Sequence, residues 1–280
     1  MSANQGGPRQ HQTRRQCSFF SAGSCKLGDK CRFAHDVLKP CRFPPGSCKY
    51  GKRCRFSHAT SVGRSEVEAS QSNNMVRFLA VLDFEATCWS DDREKQRREA
   101  EIIEFPTVLF RIGEEGSLVR AGEWRKHIRP TINRQLSEFC TQMTAITQLE
   151  VDSAEPISQV LAEHASWLSS ATDNAPEEAV LFVTCGDWDL GTCLPLEERN
   201  KGLVVPSVYK RWANLKVEFP KAFPCQGRPD MAGMLDLAGL KLEGHHHSGL
   251  DDSRNIARVL ESVWQRGHRV AAYERRVVRR

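Results

Sequence analysis

Arg77-Phe78-Leu79-Ala80-Val81-Leu82-Asp83-Phe84-Glu85-Ala86-Thr87-Cys88 is an apolar strand running straight into two carboxylates two residues apart. Positions i and i+2 of a strand share a face, so Asp83 and Glu85 are expected to point the same way from the edge of a buried sheet, roughly 6–7 Å apart. Two like charges that close raise each other's pKa unless a cation sits between them. Hard oxygen ligands favour Mg²⁺ or Mn²⁺ over Zn²⁺. A strand ending in a solvated acidic turn would give the same short pattern.

Outward from this stretch, charge is unevenly spread along the 280 residues, whose net charge is +5. Residues 1–60 carry 12 Lys/Arg against 2 Asp/Glu, residues 265–280 carry 6 Arg against 1 Glu, and the stretch between carries 22 Lys/Arg against 32 Asp/Glu. Basic ends on an acidic centre point to a polyanion, most economically a nucleic acid, held by the ends. The polar start, with no apolar leader, and the lack of any run of 18 apolar residues predict neither signal peptide nor membrane span. Six of the 11 cysteines lie between Cys17 and Cys54, which favours metal ligation over disulfides.

Those cysteines form a repeat. Cys17, Cys25, Cys31 and His35 are followed by Cys41, Cys48, Cys54 and His58 at nearly the same spacing. Three thiolates and one imidazole make a closed tetrahedral site, so two structural Zn²⁺ are expected in a segment too poor in aliphatics to fold otherwise. Both copies end Cys-Arg-Phe-x-His, and the pair resembles the CCCH zinc-finger family, whose members mostly bind single-stranded RNA. Phe33 and Phe56 offer stacking faces, and Lys26, Arg32, Arg42, Lys49, Lys52, Arg53 and Arg55 can meet phosphates. A zinc clip that only holds the chain together is the alternative.

Residues 60–74 read as a flexible linker and 90–101 as a charge-dense loop or exposed helical turn. Strands are expected at 102–110 and 123–128, paired as an antiparallel meander. Ile157, Val160, Leu161, His164 and Leu168 recur at helical spacing, placing His164 on a packed stripe. Val180-Leu181-Phe182-Val183 reads as a central buried strand, followed by Gly186-Asp187-Trp188-Asp189. Residues 208–215 and 231–240 suggest helices, with a last strand near 216–219. In the final helix Ile256, Val259, Leu260, Val263 and Trp264 define the buried stripe, which one turn upstream arrives at Asp252, leaving Asp251 with Asn255 and Arg258 on the polar side. A buried acid at a helix start needs a partner, which a metal would supply. The tract His245-His246-His247 gives two His-x4-Asp registers, His246 with Asp251 and His247 with Asp252, and the stripe selects the second. Residues 17–35, 41–58 and 75–265 are therefore expected to be the folded parts, between a disordered basic N-terminus at 1–16 and a basic tail at 266–280.

Asp-x-Glu after the first strand, aromatic-Asp after a central strand and His-x4-Asp entering the last helix, in that order, resemble the three motifs of the DEDDh exonuclease superfamily. The words Asp83-Phe84-Glu85-Ala86-Thr87-Cys88, Glu101-Ile102-Ile103-Glu104-Phe105-Pro106 and the run from His247 to Ala257 look closest to the branch of the 3′-histone-mRNA and enhanced-RNAi exonucleases. The resemblance implies an α/β fold, an RNase H-like mixed sheet flanked by helices and preceded by two small zinc-stabilised CCCH fingers. It implies two Mg²⁺ (or Mn²⁺) held by Asp83, Glu85, Asp189 and Asp252, with His247 as general base and Gly249 letting its loop adjust. The choice of Asp189 over Asp187 rests on the resemblance alone. Thr87 and Trp188 are expected to meet substrate, although a Trp buried beside the sheet is the alternative. His245 stands where relatives often carry Arg, and Cys185 where an acid is common. The expected reaction is 3′→5′ removal of nucleoside 5′-monophosphates from single-stranded RNA ends, in cytoplasm or nucleus. An RNA-binding regulator with an inactive domain and a DNA-directed enzyme are the competing readings.

Overall fold

The computed structural model describes residues 76–272. The expectations for the N-terminus, both zinc-ligand sets with Phe33 and Phe56, the linker and the end of the Arg-rich tail lie outside the described residues. In chain order the elements are β1 (Phe78–Val81), β2 (Glu85–Ala86), α1 (Arg93–Glu99), β3 (Ile102–Ile112), β4 (Leu118–Arg129), α2 (Glu138–Thr144), α3 (Gln148–Asp152) and β5 (Glu155–Pro156). They continue as α4 (Ile157–Ala171), β6 (Val180–Thr184), α5 (Leu194–Lys201), β7 (Trp212–Asn214), α6 (Leu215–Ala222), α7 (Met231–Leu237) and α8 (Gly249–Gln265).

The strands form one mixed sheet in the order β5-β4-β3-β1-β6-β7, with β2 also paired to β3. β1 runs antiparallel to β3 and parallel to β6, which makes it central and explains why its four residues are all apolar and buried. Strand parity divides them between two layers. Leu79 and Val81, with Val108, Phe110, Leu181 and Val183, pack against Ile256, Val259, Leu260 and Val263 of α8. Ala80 and Leu82, with Phe105, Leu109 and Phe182, pack against Ile157, Val160, Leu161 and Leu168 of α4. Among the described residues no helix is long and apolar enough to cross a membrane.

Four expectations are corrected. The helix at 208–215 is a 3-10 turn (Ser207–Lys210) followed by β7, and the strand at 216–219 is instead helix α6. Asn214 decides that boundary, because its side chain accepts the Lys216 N–H and caps α6. The charged excursion at 90–101 does form an exposed helix, α1, but its last residue turns inward. Glu101 is buried and accepts the N–H groups of Thr131, Ile132 and Asn133, with Lys201 Nζ at 2.7 Å. Asn255, assigned to the polar face of α8, is also fully buried; its amide holds the Glu243 backbone through both N–H and C=O.

His164 lies on the packed stripe of α4, with no exposed surface. Thr107 Oγ1 donates to the Pro106 carbonyl and so accepts from Nε2 of His164 at 2.8 Å, which leaves Nδ1 to accept from the Tyr209 hydroxyl at 2.7 Å. A neutral imidazole satisfies both contacts. Burial lowers its pKa from 6.5 to about 3. The unfolded chain therefore takes up this proton first, and the stability His164 gives above pH 6.5 is lost on acidification towards pH 3, by about 1.4 kcal/mol per pH unit. His164→Asn is expected to melt below wild type at pH 7 and to close the gap, or reverse it, by pH 5. Parallel melting profiles would show that the imidazole is not held neutral.

Candidate active site

The first two acids sit where the central strand is interrupted. β1 and β2 keep one register against β3, from Val81 opposite Val108 to Glu85 opposite Glu104, so Asp83 falls opposite Pro106. Hydrogen-bonded positions alternate from the Ile112 N–H bond to the Arg77 carbonyl, and at Asp83 the partner proline has no N–H to give. The ladder opens there, yet parity is kept. Asp83 and Glu85 follow Leu79 and Val81 on the α8 side of the sheet, so the shared face expected of an unbroken strand survives its interruption.

Helix α8 brings the third acid to that face. Asp252 is only 3% exposed, and ligand oxygens of Asp83, Glu85 and Asp252 lie within 4.8 Å of one another. Burial is the main reason that Asp83 is pushed well above the usual carboxylate range, followed by repulsion from Asp189, Glu85 and Asp252. Burial, then Glu104, Asp252 and Asp189, raise Glu85 to about 9. Burial raises Asp252 to about 6, against the stabilising His247 N–H. Oδ1 of Asp252 is buried without a hydrogen-bond partner. Carboxylates crowded in this way, one with an orphaned oxygen, fit a divalent cation.

Asp189 stands at the start of a π-helical turn, Asp189–Cys193, that follows β6. Its Oδ1 accepts the Phe84 N–H at 2.9 Å, which ties the interrupted strand to this turn. Burial raises it to about 6, against that bond and Lys216. Asp187 serves elsewhere, accepting the indole N–H of Trp212 at 3.0 Å. Asp189 is thus turned to Phe84 and Asp187 to Trp212, while the acids whose ligand oxygens lie within 4.8 Å of one another are Asp83, Glu85 and Asp252 without Asp189. Trp188 is 41% exposed, unlike a packed core tryptophan.

The loop into α8 is held by its doubled acids. Asp251 accepts the His245 N–H at 2.9 Å, and Asp252 Oδ2 accepts the His247 N–H at 2.8 Å. Gly244 (φ 76°) is required there, because a Cβ would lie 2.3 Å from the Asp251 carboxylate. His247 itself adopts φ 67°. It is half-buried, and burial with the neighbouring imidazoles lowers its pKa. Gly249 is corrected from a flexible neighbour to a close-packing residue in the first turn of α8. Its N–H donates to Glu104 at 3.0 Å, and a Cβ would meet the Asp83 carbonyl oxygen at 2.8 Å.

Thr87 is also corrected. It is buried, and its hydroxyl accepts the Glu101 N–H at 3.0 Å, leaving no side-chain surface for a substrate. Two residues near the acids were missed. Glu104 has no exposed surface, lies directly opposite Glu85 and is paired with Arg125 at 2.5 Å. A lone acid among the apolar residues of 102–110 was the available signal. Lys216 lowers both Asp83 and Asp189, and nothing in its local sequence marks it.

Residues 80–260 match the model of the RNase_T family, described as exonuclease. Residues 12–37 match the C-x8-C-x5-C-x3-H type of zinc finger, and residues 40–59 match the RNA-binding, Nab2-type zinc finger. The chain is 36% identical over 220 residues to ERI1 exoribonuclease 2 of Danio rerio, covering 74% of this chain and 38% of that protein. It is 36% identical over 193 residues to ERI1 exoribonuclease 3 of Homo sapiens, covering 68% and 54%. Among solved structures, the nuclease domain of 3′hExo, a DEDDh family member bound to rAMP, superposes with a TM-score of 0.62 at 31% identity, covering 70% of this chain and 96% of that one. The chain therefore spans less than two thirds of these two curated relatives but nearly all of the solved nuclease domain.

Proposed function

A chain matched over 80–260 of its 280 residues belongs to the RNase_T exonuclease family, and on that premise we propose that it is a metal-dependent 3′→5′ exoribonuclease releasing nucleoside 5′-monophosphates. The observation that carries this reading is the approach of Asp83, Glu85 and Asp252 to within 4.8 Å beside an orphaned Asp252 oxygen. Divalent metal and zinc are general to the two kinds of domain matched. The finer assignment is two Mg²⁺ or Mn²⁺ held by Asp83, Glu85, Asp189 and Asp252, because an all-carboxylate set suits hard cations. Two structural Zn²⁺ are assigned to Cys17, Cys25, Cys31 and His35 and to Cys41, Cys48, Cys54 and His58.

When bound, the divalent ions supply charge neutralisation at the scissile phosphate and a water of lowered pKa. His247 takes the proton of the attacking water, a role suited to an imidazole kept neutral by burial. Asp252 fixes the backbone of that base through the His247 N–H, so one side chain both holds metal and positions the proton acceptor. Asp189 secures Phe84 and, with it, the link between Asp83 and Glu85. Trp188 offers its exposed face to the terminal base. The fingers recruit single-stranded RNA through Phe33, Phe56 and the basic residues around them.

A 5′-labelled RNA incubated with Mg²⁺ or Mn²⁺ tests the reading. Wild type is expected to give a ladder shortening from the 3′ end, and Asp83→Asn to slow it by at least about 10²–10³-fold. Asp187→Asn, which keeps an acceptor for Trp212, is expected to leave the ladder unchanged. No shortening by wild type would favour an RNA-binding platform, and faster shortening of a matched DNA would overturn the RNA assignment.

A further inference from the structure

Asp252 belongs to two clusters. One is the carboxylate corner; the other joins it to His246 and His247, whose ligand atoms also lie within 4.8 Å of one another. Nε2 of His246 is 4.0 Å from Asp252 Oδ2, and the two imidazole rings stack at 4.0 Å between centroids. The Asp252 side chain is buried, and its Oδ1 has no hydrogen-bond partner. Two imidazoles and a carboxylate differ in kind from the all-oxygen corner. They suit a borderline cation such as Zn²⁺, which the corner's hard ligands do not prefer.

We infer that His246, His247 and Asp252 form a second metal site, for Zn²⁺, overlapping the first, and that zinc bound there switches the nuclease off by drawing Asp252 and His247 away from the catalytic corner. The donors are preassembled but not closed. Tetrahedral ligands at Zn²⁺ lie about 3.4 Å apart, so donors already within 4.8 Å of one another must draw in by at most about 1.4 Å. His246, with 47% of its side chain exposed, has room to swing inward. The tie from Asp252 to the His247 N–H already holds two of the three ligand residues together. Because both clusters draw on Asp252, Zn²⁺ and the catalytic cation weaken each other's binding reciprocally. His246 is the residue that distinguishes them, since it belongs to the zinc site and has no place in the hydrolytic machinery.

Zinc binding stands independently of the activity assigned above, whereas inhibition rests on it, and the experiment reads the two separately. Full-length protein with its fingers saturated and excess zinc removed is titrated with Zn²⁺ by calorimetry, and the same preparations are assayed for Mg²⁺-supported RNA shortening across a zinc series. Wild type is expected to bind one further Zn²⁺ per chain, more weakly as Mg²⁺ is raised. His246→Gln is expected to weaken that binding by at least about tenfold and to raise the half-inhibiting zinc concentration by the same factor, each read relative to the variant's own zinc-free rate. His245→Gln, whose imidazole lies outside the cluster, is expected to match wild type. Unaltered zinc affinity in His246→Gln would overturn the site. Persistent inhibition in that variant would place zinc in the carboxylate corner and overturn the switch. If the wild type binds zinc through His246 yet shortens no RNA, the metal site stands and the nuclease reading fails.

Discussion

Asp252→Asn is expected to abolish metal-dependent RNA shortening while raising the melting temperature of the metal-free protein. Both effects have one cause. The corner gathers Asp83, Glu85 and Asp252, with Asp189 close by, and folding brings their charges out of water and against each other. The resulting upward shifts mean that the folded state binds protons more tightly than the unfolded one. Stability is therefore lost as pH rises from the unfolded values near 4 through the folded ones, about 6 for Asp252 and about 9 for Glu85. For Asp252 the rise from 3.8 to about 6 sets an upper bound of about 3 kcal/mol at neutral pH. An amide removes that charge and can still accept the His247 N–H, so a net gain of about 1–2 kcal/mol, or roughly 2–8 °C, is expected in EDTA. With Mg²⁺ present the ranking reverses, because the wild type gains binding energy that the variant lacks. Loss of the metal ligand proposed at Asp252 is expected to lower the shortening rate by at least about 10²–10³-fold. Melting curves in EDTA and in Mg²⁺, with the labelled-RNA assay, check all three statements. A variant that melts below wild type in EDTA would show that these carboxylates do not repel one another.

Period-two parity was legible in the sequence, and it carried Asp83 and Glu85 onto the face of Leu79 and Val81 even though the strand opens between them. The apolar stripe of α8 led to Asp252 because a helix of 17 residues leaves little freedom in which face is buried. The same stripe misplaced Asn255, since a side chain that satisfies itself on the Glu243 backbone can be buried despite its polarity. Residues 207–222 were misread because their structure is decided by contacts from outside: Trp212 is held by Asp187 and by its place beside β6, and only then can Asn214 act as a cap. Lys216 was invisible for the same reason. Its nearness to Asp83 and Asp189 depends on where α6 begins, one of the least determined features of a local reading. Glu104 lies in the stretch Glu101–Pro106 that resembles the family, and an acid on the buried face of a strand requires a partner just as Asp252 does.

Gly249→Ala is expected to cost both stability and activity, and the reason lies in the gap at Pro106. With no N–H to offer, Pro106 leaves the Asp83 carbonyl outside the ladder, and the first turn of α8 closes against it. A methyl group at 249 would sit 2.8 Å from that carbonyl oxygen, 3.1 Å from Glu104 Oε2 and 3.1 Å from the Pro106 ring. None of the three can yield easily. The carbonyl lies in the short gap between β1 and β2, both of which are paired to β3, the proline ring is rigid, and Glu104 is fixed by Arg125 at 2.5 Å and by the Gly249 N–H at 3.0 Å. The start of α8 must move instead, taking with it His247, two residues before, and Asp252, three residues after. Alanine gains up to about 1 kcal/mol of helix propensity over glycine, but overpacking of about 1–3 kcal/mol outweighs it, giving a net loss of about 1–2 kcal/mol. Displacing the proposed ligand and the proposed base by a fraction of an ångström to 1 Å is expected to lower kcat by up to about 10²-fold. Gly202→Ala separates the two effects. Gly202 takes φ 64° with open space around it, so alanine there strains the backbone and lowers stability by about 1 kcal/mol while leaving kcat unchanged. If Gly249→Ala merely matched Gly202→Ala, melting lower but hydrolysing at the wild-type rate, the close approach of α8 to Asp83 would not be what sets the geometry of the acids.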